Sequence, residues 1–125
     1  MRVILYLSLL LIYGFRFYSQ DAKLSDNKSK GTASFYAKKF NNRKTASGEK
    51  FSNDNLTAAH KKFKFGTYVL VRNLKNDSTV IVKINDRLPQ KSKRTIDLSL
   101  KAAKQLNFIK SGLTKVEITV LESKK

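Results

Sequence analysis

The chain has 125 residues, 26 Lys and Arg against 9 Asp and Glu, one His, one Pro and no Cys. That length suits one domain, and 41% hydrophobic residues with 8 Phe and 5 Tyr exclude a disordered polycation. The missing Cys and single His exclude disulfides, thiolate or His-based zinc sites and a cysteine nucleophile, while the +17 charge points to a polyanionic partner.

Met1-Arg2 is followed by Val3–Tyr13, an apolar run broken only by Ser8, with small Ser19 beyond it. This is the pattern of a secretory signal peptide over residues 1–20. A membrane anchor needs about 20 apolar residues, and Arg16 interrupts any extension. A buried helix is the other reading, but a run apolar on every side suits a targeting segment better. Cleavage is expected after Ser19 or Gln20. With no Cys at the cut, no lipid anchor is expected, and the mature protein is placed in the periplasm or cell envelope. Removing Arg2 and Arg16, and no acid, leaves 24 − 9 = +15 on the exported part. The expected polyanion therefore shifts from nucleic acid to the envelope, either an acidic polymer or anionic lipid.

Residues 21–30 are polar and aperiodic and read as a flexible leader. Thr32–Tyr36 is a candidate first strand. Thr67–Asn73 and Ser78–Asp86 are β-branched runs joined across Lys75-Asn76-Asp77, as in a hairpin. Thr95–Leu98 is a short strand. Ser99 then caps a helix through Leu106, with Leu100, Ala103 and Leu106 on one side. Lys115–Leu121 closes the chain, its Val116, Ile118 and Val120 alternating with polar residues. Short strands with turn signals and one short helix imply a mainly β fold, a small barrel without internal repeats.

Three polar clusters interrupt this pattern: Lys44–Glu49, Ala58-Ala59-His60 and Asn85-Asp86-Arg87. Val80, Val82, Ile84 and Asp86 share one strand parity, which predicts Asp86 at the inner rim of the barrel. A carboxyl there can serve as a general acid. Each residue also has an ordinary reading. Glu49 alone fits a solvated surface acid, Asp86-Arg87 a strand-end salt bridge, and His60 a structural hydrogen-bonder. Asp97 fits a group that caps the next helix or binds backbone amides. The residues alone do not choose among these.

Taken in order, Gly31–Tyr36, Thr45–Glu49, Leu56–His60, Phe65–Thr67, Val69–Asn73, Val82–Arg87 and Ile96–Ser99 resemble the rare lipoprotein A (RlpA) family. The resemblance implies a six-stranded double-psi β-barrel over residues 31–122 with one or two short helices. It also implies an endolytic transglycosylase that cuts MurNAc–GlcNAc bonds of peptidoglycan, on peptide-poor strands, leaving 1,6-anhydro ends. By position it implies Asp86 as acid/base, Glu49 as a second carboxylate and His60 as a group that orients a carboxylate or binds sugar. Tyr36, Thr45, Asn85 and Arg87 would contact substrate, and Asp97 would hold the fold. No cofactor or metal is implied, and a monomer is expected. The alternative is a non-catalytic, expansin-like barrel that binds glycan or loosens the wall. Nucleic acid is not expected as a partner, because the Lys residues scatter rather than form one helical face. Two departures stand out: Leu88 follows Asn-Asp-Arg where the family usually has Gly, and Ser47 stands where Asn is usual. Loss of Gly removes easy access to left-handed backbone.

Overall fold

Strands whose Val and Ile alternate with polar residues bury every second side chain, and these form the body of the molecule. The computed structural model describes residues 27–122. Its strands are β1 (Lys28–Phe35), β2 (Thr57–His60), β3 (Tyr68–Asn73), β4 (Thr79–Arg87), β5 (Ile96–Leu98) and β6 (Thr114–Glu122). The helix α1 (Leu100–Gln105) lies between β5 and β6, and a 3-10 turn spans Lys38–Phe40. The expected signal segment and most of the leader lie outside the described residues.

The six strands close into a barrel in the order β1-β5-β2-β4-β3-β6. β1/β5 and β2/β4 pair in parallel, and the other neighbours are antiparallel. Closure leaves no free sheet edge. Val69, Val71, Val82, Ile84, Ile96, Leu98, Val116 and Ile118 fill the interior, all fully buried. The β3–β4 turn is the expected one: Asp77 takes a left-handed φ of 62° and its N–H donates to the Asn73 carbonyl at 2.7 Å.

Three features differ from the sequence reading by more than a one-residue boundary. β1 begins at Lys28, inside the expected leader, because it pairs with β6 from Lys28 opposite Thr119 to Ala33 opposite Thr114. Its outward Lys28 sits 3.8 Å from Glu117, so this end carries no apolar signal. β2 carries no expected strand at all, since all four of its residues are buried and nothing alternates. In α1, Ser99 caps as expected, accepting from the Ala102 N–H at 3.4 Å. The buried face, however, is Ala102, Ala103 and the following Leu106, with Leu100 only half-buried. Two adjacent methyl side chains let the helix settle flat on the barrel.

Parallel pairing of β1 with β5 depends on one close approach. A Cβ on Gly31 would stand 2.1 Å from Thr95 Oγ1 and 2.5 Å from Thr95 Cβ. Thr95 cannot withdraw, because its N–H donates to the Thr32 carbonyl at 2.8 Å and its Oγ1 accepts from the Thr32 N–H at 3.3 Å. Gly31→Ala is expected to lower unfolding free energy by about 1–3 kcal/mol through overpacking. The same change made alongside Thr95→Gly is expected to cost less. Equal costs in the two backgrounds, measured by urea unfolding, would contradict this origin.

Candidate active site

The β2–β4 register steps from Ala58 opposite Ile84 to Ala59 opposite Asp86, so Asn85 is an extra residue. This β-bulge breaks the parity that the alternation predicts. Ile84 and Asn85 are both buried, and Asp86 turns onto the face of Ala59 rather than the core face of Ile84. Ala59 also pairs with Asp97, and Asp97 pairs with Ser34. A row Asp86–Ala59–Asp97–Ser34 therefore crosses four strands. At about 4.8 Å per strand, the two aspartate backbones stand about 10 Å apart with only a methyl group between them. Above this row runs a groove of about 750 Å³, walled by Tyr36, Asp86, Leu88, Arg94 and Asp97.

Three donors converge on Asp86. The Tyr36 hydroxyl donates to Oδ2 at 2.6 Å, while the N–H groups of Ala46 and Arg87 donate to Oδ1 at 2.8 and 2.9 Å. Tyr36 stacks on Phe51, with centroids 4.1 Å apart, and meets Phe40 edge-on at 5.9 Å. Burial, then the hydrogen bond to Asp86 and the charges of Asp86 and Asp97, push the phenol far above its ordinary value. Tyr36 therefore keeps its proton and serves as a fixed hydroxyl.

The Thr45–Glu49 loop delivers the Ala46 donor. Thr45 donates twice to the Glu49 carbonyl, from its N–H and its Oγ1, both at 2.8 Å. Gly48 supplies a φ of 94°. The Ser47 N–H donates to the Asn85 carbonyl at 3.2 Å, tying the loop to the bulge. The Ser47 hydroxyl lies 2.9 Å from Thr45 Oγ1 and accepts from the Glu49 N–H at 3.3 Å, so the smaller residue still closes the loop.

Glu49 does not line the groove with Asp86. Its Oε2 meets Lys83 Nζ at 2.9 Å, and 48% of its side chain is exposed. The hydrogen bond from Lys83 holds this carboxyl below the usual carboxylate range; desolvation opposes it, and the Lys83 charge, Asn85 and Ser47 add smaller lowering effects. Glu49 thus stands apart from Asp86, and the second carboxylate lining the groove is Asp97. Asp97 accepts from the Ser34 hydroxyl and from Arg94 Nε and Nη2 at 2.8 and 3.1 Å. It both braces β1 against β5 and faces the groove. The Arg94-x-x-Asp97 spacing was the sequence signal for this clamp.

His60 is 4% exposed and lies outside the groove. Its Nδ1 accepts from the Lys62 and Phe63 N–H groups, both at 3.2 Å, and its ring stacks on Phe63 at 3.7 Å. Burial, followed by the charges of Lys62, Arg87 and Lys61, lowers it to about 4. Of the remaining expected contacts, Thr45 and Asn85 are buried and shape the loop, whereas Arg87 reaches the groove with its guanidinium 4.2 Å over Phe65. Leu88 is buried without a left-handed backbone, its N–H donating to the His60 carbonyl at 3.3 Å, so the chain absorbs the loss of Gly.

The closed six-stranded barrel is that of a double-psi β-barrel protein. The chain belongs to the lytic transglycolase family, whose family model matches residues 28–118. It is 43% identical over 113 residues to the endolytic peptidoglycan transglycosylase RlpA of Pasteurella multocida, covering 90% of this chain and 38% of that protein. Against the protein of the same name from Haemophilus influenzae, identity is 50% over 91 residues, covering 73% of this chain and 32% of that protein. The chain thus spans less than half the length of these curated relatives. Among solved structures, Streptomyces papain inhibitor superposes with a TM-score of 0.63 at 19% identity, covering 76% of this chain and 94% of that one. The Clavibacter michiganensis expansin gives 0.62 at 19% identity, covering 78% and 52%. These two likenesses concern the fold alone.

Proposed function

We propose that this chain is an endolytic lytic transglycosylase of the cell envelope that cleaves MurNAc–GlcNAc bonds of peptidoglycan, with Asp86 as its acid/base. The observation that carries this reading is Asp86 itself: a carboxylate turned out of the core by a bulge, held by three donors, on the wall of an open groove. Support also comes from family membership and from the names of relatives at 43–50% identity.

The reaction needs no water. The carboxyl protonates the glycosidic oxygen as the bond to the muramyl anomeric carbon breaks. The muramyl 6-hydroxyl oxygen then bonds to that carbon and returns its proton to the same carboxylate. One carboxyl suffices, unlike the two-carboxylate hydrolases. Oδ1 is committed to two backbone donors, which leaves Oδ2 to carry the proton. Tyr36 serves both states of this oxygen, since a hydroxyl donates to a carboxylate and accepts from a carboxylic acid by rotating its O–H. Asp97 with Arg94, and Arg87, present acceptors and donors to sugar hydroxyls along the groove. Glu49 acts through the loop that it anchors to Lys83 and thereby keeps the Ala46 N–H on Asp86.

Two substitutions separate these roles. Tyr36→Phe leaves Oδ2 without its donor, and turnover is expected to fall by about 10–100-fold, equivalent to a lost hydrogen bond to a charged group. Glu49→Gln is expected to fall less than Asp86→Asn, because it weakens an exposed anchor rather than removing the reacting group. The direct test is release of soluble fragments from purified sacculi. Wild type should solubilise them. Tight binding to sacculi without release would overturn the reading in favour of a glycan-binding barrel.

A further inference from the structure

The loop between β4 and β5 walls two hollows. It gives Leu88, Pro89 and Arg94 to the groove, and Gln90 and Thr95 to a separate hollow of about 490 Å³. Lys30, Lys61 and Lys62 line this second hollow together with Ser29 and His60, and no carboxylate among the described residues lines it.

His60 makes this more than a patch of lysines. Its Nδ1 lone pair is taken by the Lys62 and Phe63 N–H groups, so the neutral ring carries its proton on Nε2. No group among the described residues accepts from that N–H. The stack on Phe63, with planes only 1° apart, fixes the direction of the ring. The rim is equally ordered: Gln90 Nε2 donates to the Lys61 carbonyl at 3.0 Å, and the Lys61 ammonium is held by the Ser92 carbonyl. An N–H donor with no protein acceptor among the described residues, carried by a histidine only 4% exposed that lines the hollow beside three lysines, is the chemistry of an oxyanion site.

We propose that this hollow is an anion-binding site, separate from the groove, that takes a carboxylate or phosphate group. The oxyanion accepts from His60 Nε2–H, while Lys30 and Lys62 supply the field. The histidine is a neutral donor above about pH 4, because burial and the surrounding cations lower it to about 4. The site follows from its own lining and stands whether or not the groove cuts glycan.

The test is an NMR titration of the full ¹⁵N-labelled chain with inorganic phosphate and, separately, with acetate at constant ionic strength. Saturable shifts are expected at the amides of His60, Lys61, Lys62, Phe63 and Thr95, together with a shift of the His60 ring nitrogens. The double variant Lys30→Gln/Lys62→Gln is expected to weaken binding by about fivefold, the sum of two modest ion pairs. His60→Gln, which keeps an N–H donor at this position but alters its geometry, should also weaken it. A stronger response to phosphate or to acetate identifies which oxyanion the site prefers. Non-saturating shifts spread over all exposed lysines, or an unchanged affinity in the double variant, would overturn the proposal.

Discussion

Asp86→Asn is expected to lower glycan-strand cleavage by between about a hundredfold and ten thousandfold, the range lost with a general acid/base. The fold should survive the change. The amide oxygen can still accept from the Ala46 and Arg87 N–H groups, and the amide nitrogen can donate to Tyr36, whose hydroxyl turns to accept. Stability is expected to move by about 1 kcal/mol. Cleavage assayed at equal folded concentration, with thermal melts alongside, checks both halves. A variant that melts like wild type and cuts like wild type would remove Asp86 from the chemistry.

Acid lability is the second large effect. His60 ordinarily titrates near 6.5 and is lowered to about 4 in the folded protein. Between those values the unfolded chain binds a proton that the folded chain refuses, so stability falls as the pH drops from about 6.5 to 4. Above 6.5 the contribution is fully present, and below 4 it is gone. At 1.36 kcal/mol per pH unit the loss is about 3 kcal/mol. The difference between wild type and His60→Gln isolates it from the carboxylates, which titrate in both. Urea unfolding at several pH values should show the two proteins converging as the pH falls through this window. A constant gap from pH 7 to 4 would show that His60 is not buried as a neutral ring.

Much of the barrel could be read from alternation, because β3, β4 and β6 each put Val or Ile inward at every second position. Thr57–His60 could not, since a central strand buried along its whole length has no period to detect. The start of β1 was hidden for the opposite reason: Lys28, Ser29 and Lys30 are exposed and held by backbone pairing with β6. At the site, the bulge at Asn85 defeated parity counting. Alternation placed Asp86 on the side of Ile84, and one extra residue turned it onto the groove. The ordered sequence blocks brought out Asp86, Glu49 and His60 together, but one contact distant along the chain and two local ones divide them. Lys83 draws Glu49 to the far side of its loop, and the amides of Lys62 and Phe63 draw His60 into a second hollow. Asp97 needed the β1–β5–β2 register, which brings Ser34, Ala59 and Asp97 into one row.

The division of charge follows from the same geometry. Lys30, Lys61 and Lys62 line the hollow at His60, and the groove sets Asp86 and Asp97 among Arg43, Lys44, Arg87 and Arg94. On the proposed chemistry, the net positive charge is a salt-screened attraction to an anionic partner, and the bond-breaking falls to one of the nine acids.

The most direct measurement is mass analysis of the ends left on peptidoglycan strands after digestion by the purified chain, with Asp86→Asn in parallel. The proposed chemistry predicts 1,6-anhydromuramyl ends with wild type and none with the variant. Reducing muramyl ends, which require water as the nucleophile, or anhydro ends that persist in Asp86→Asn, would contradict it.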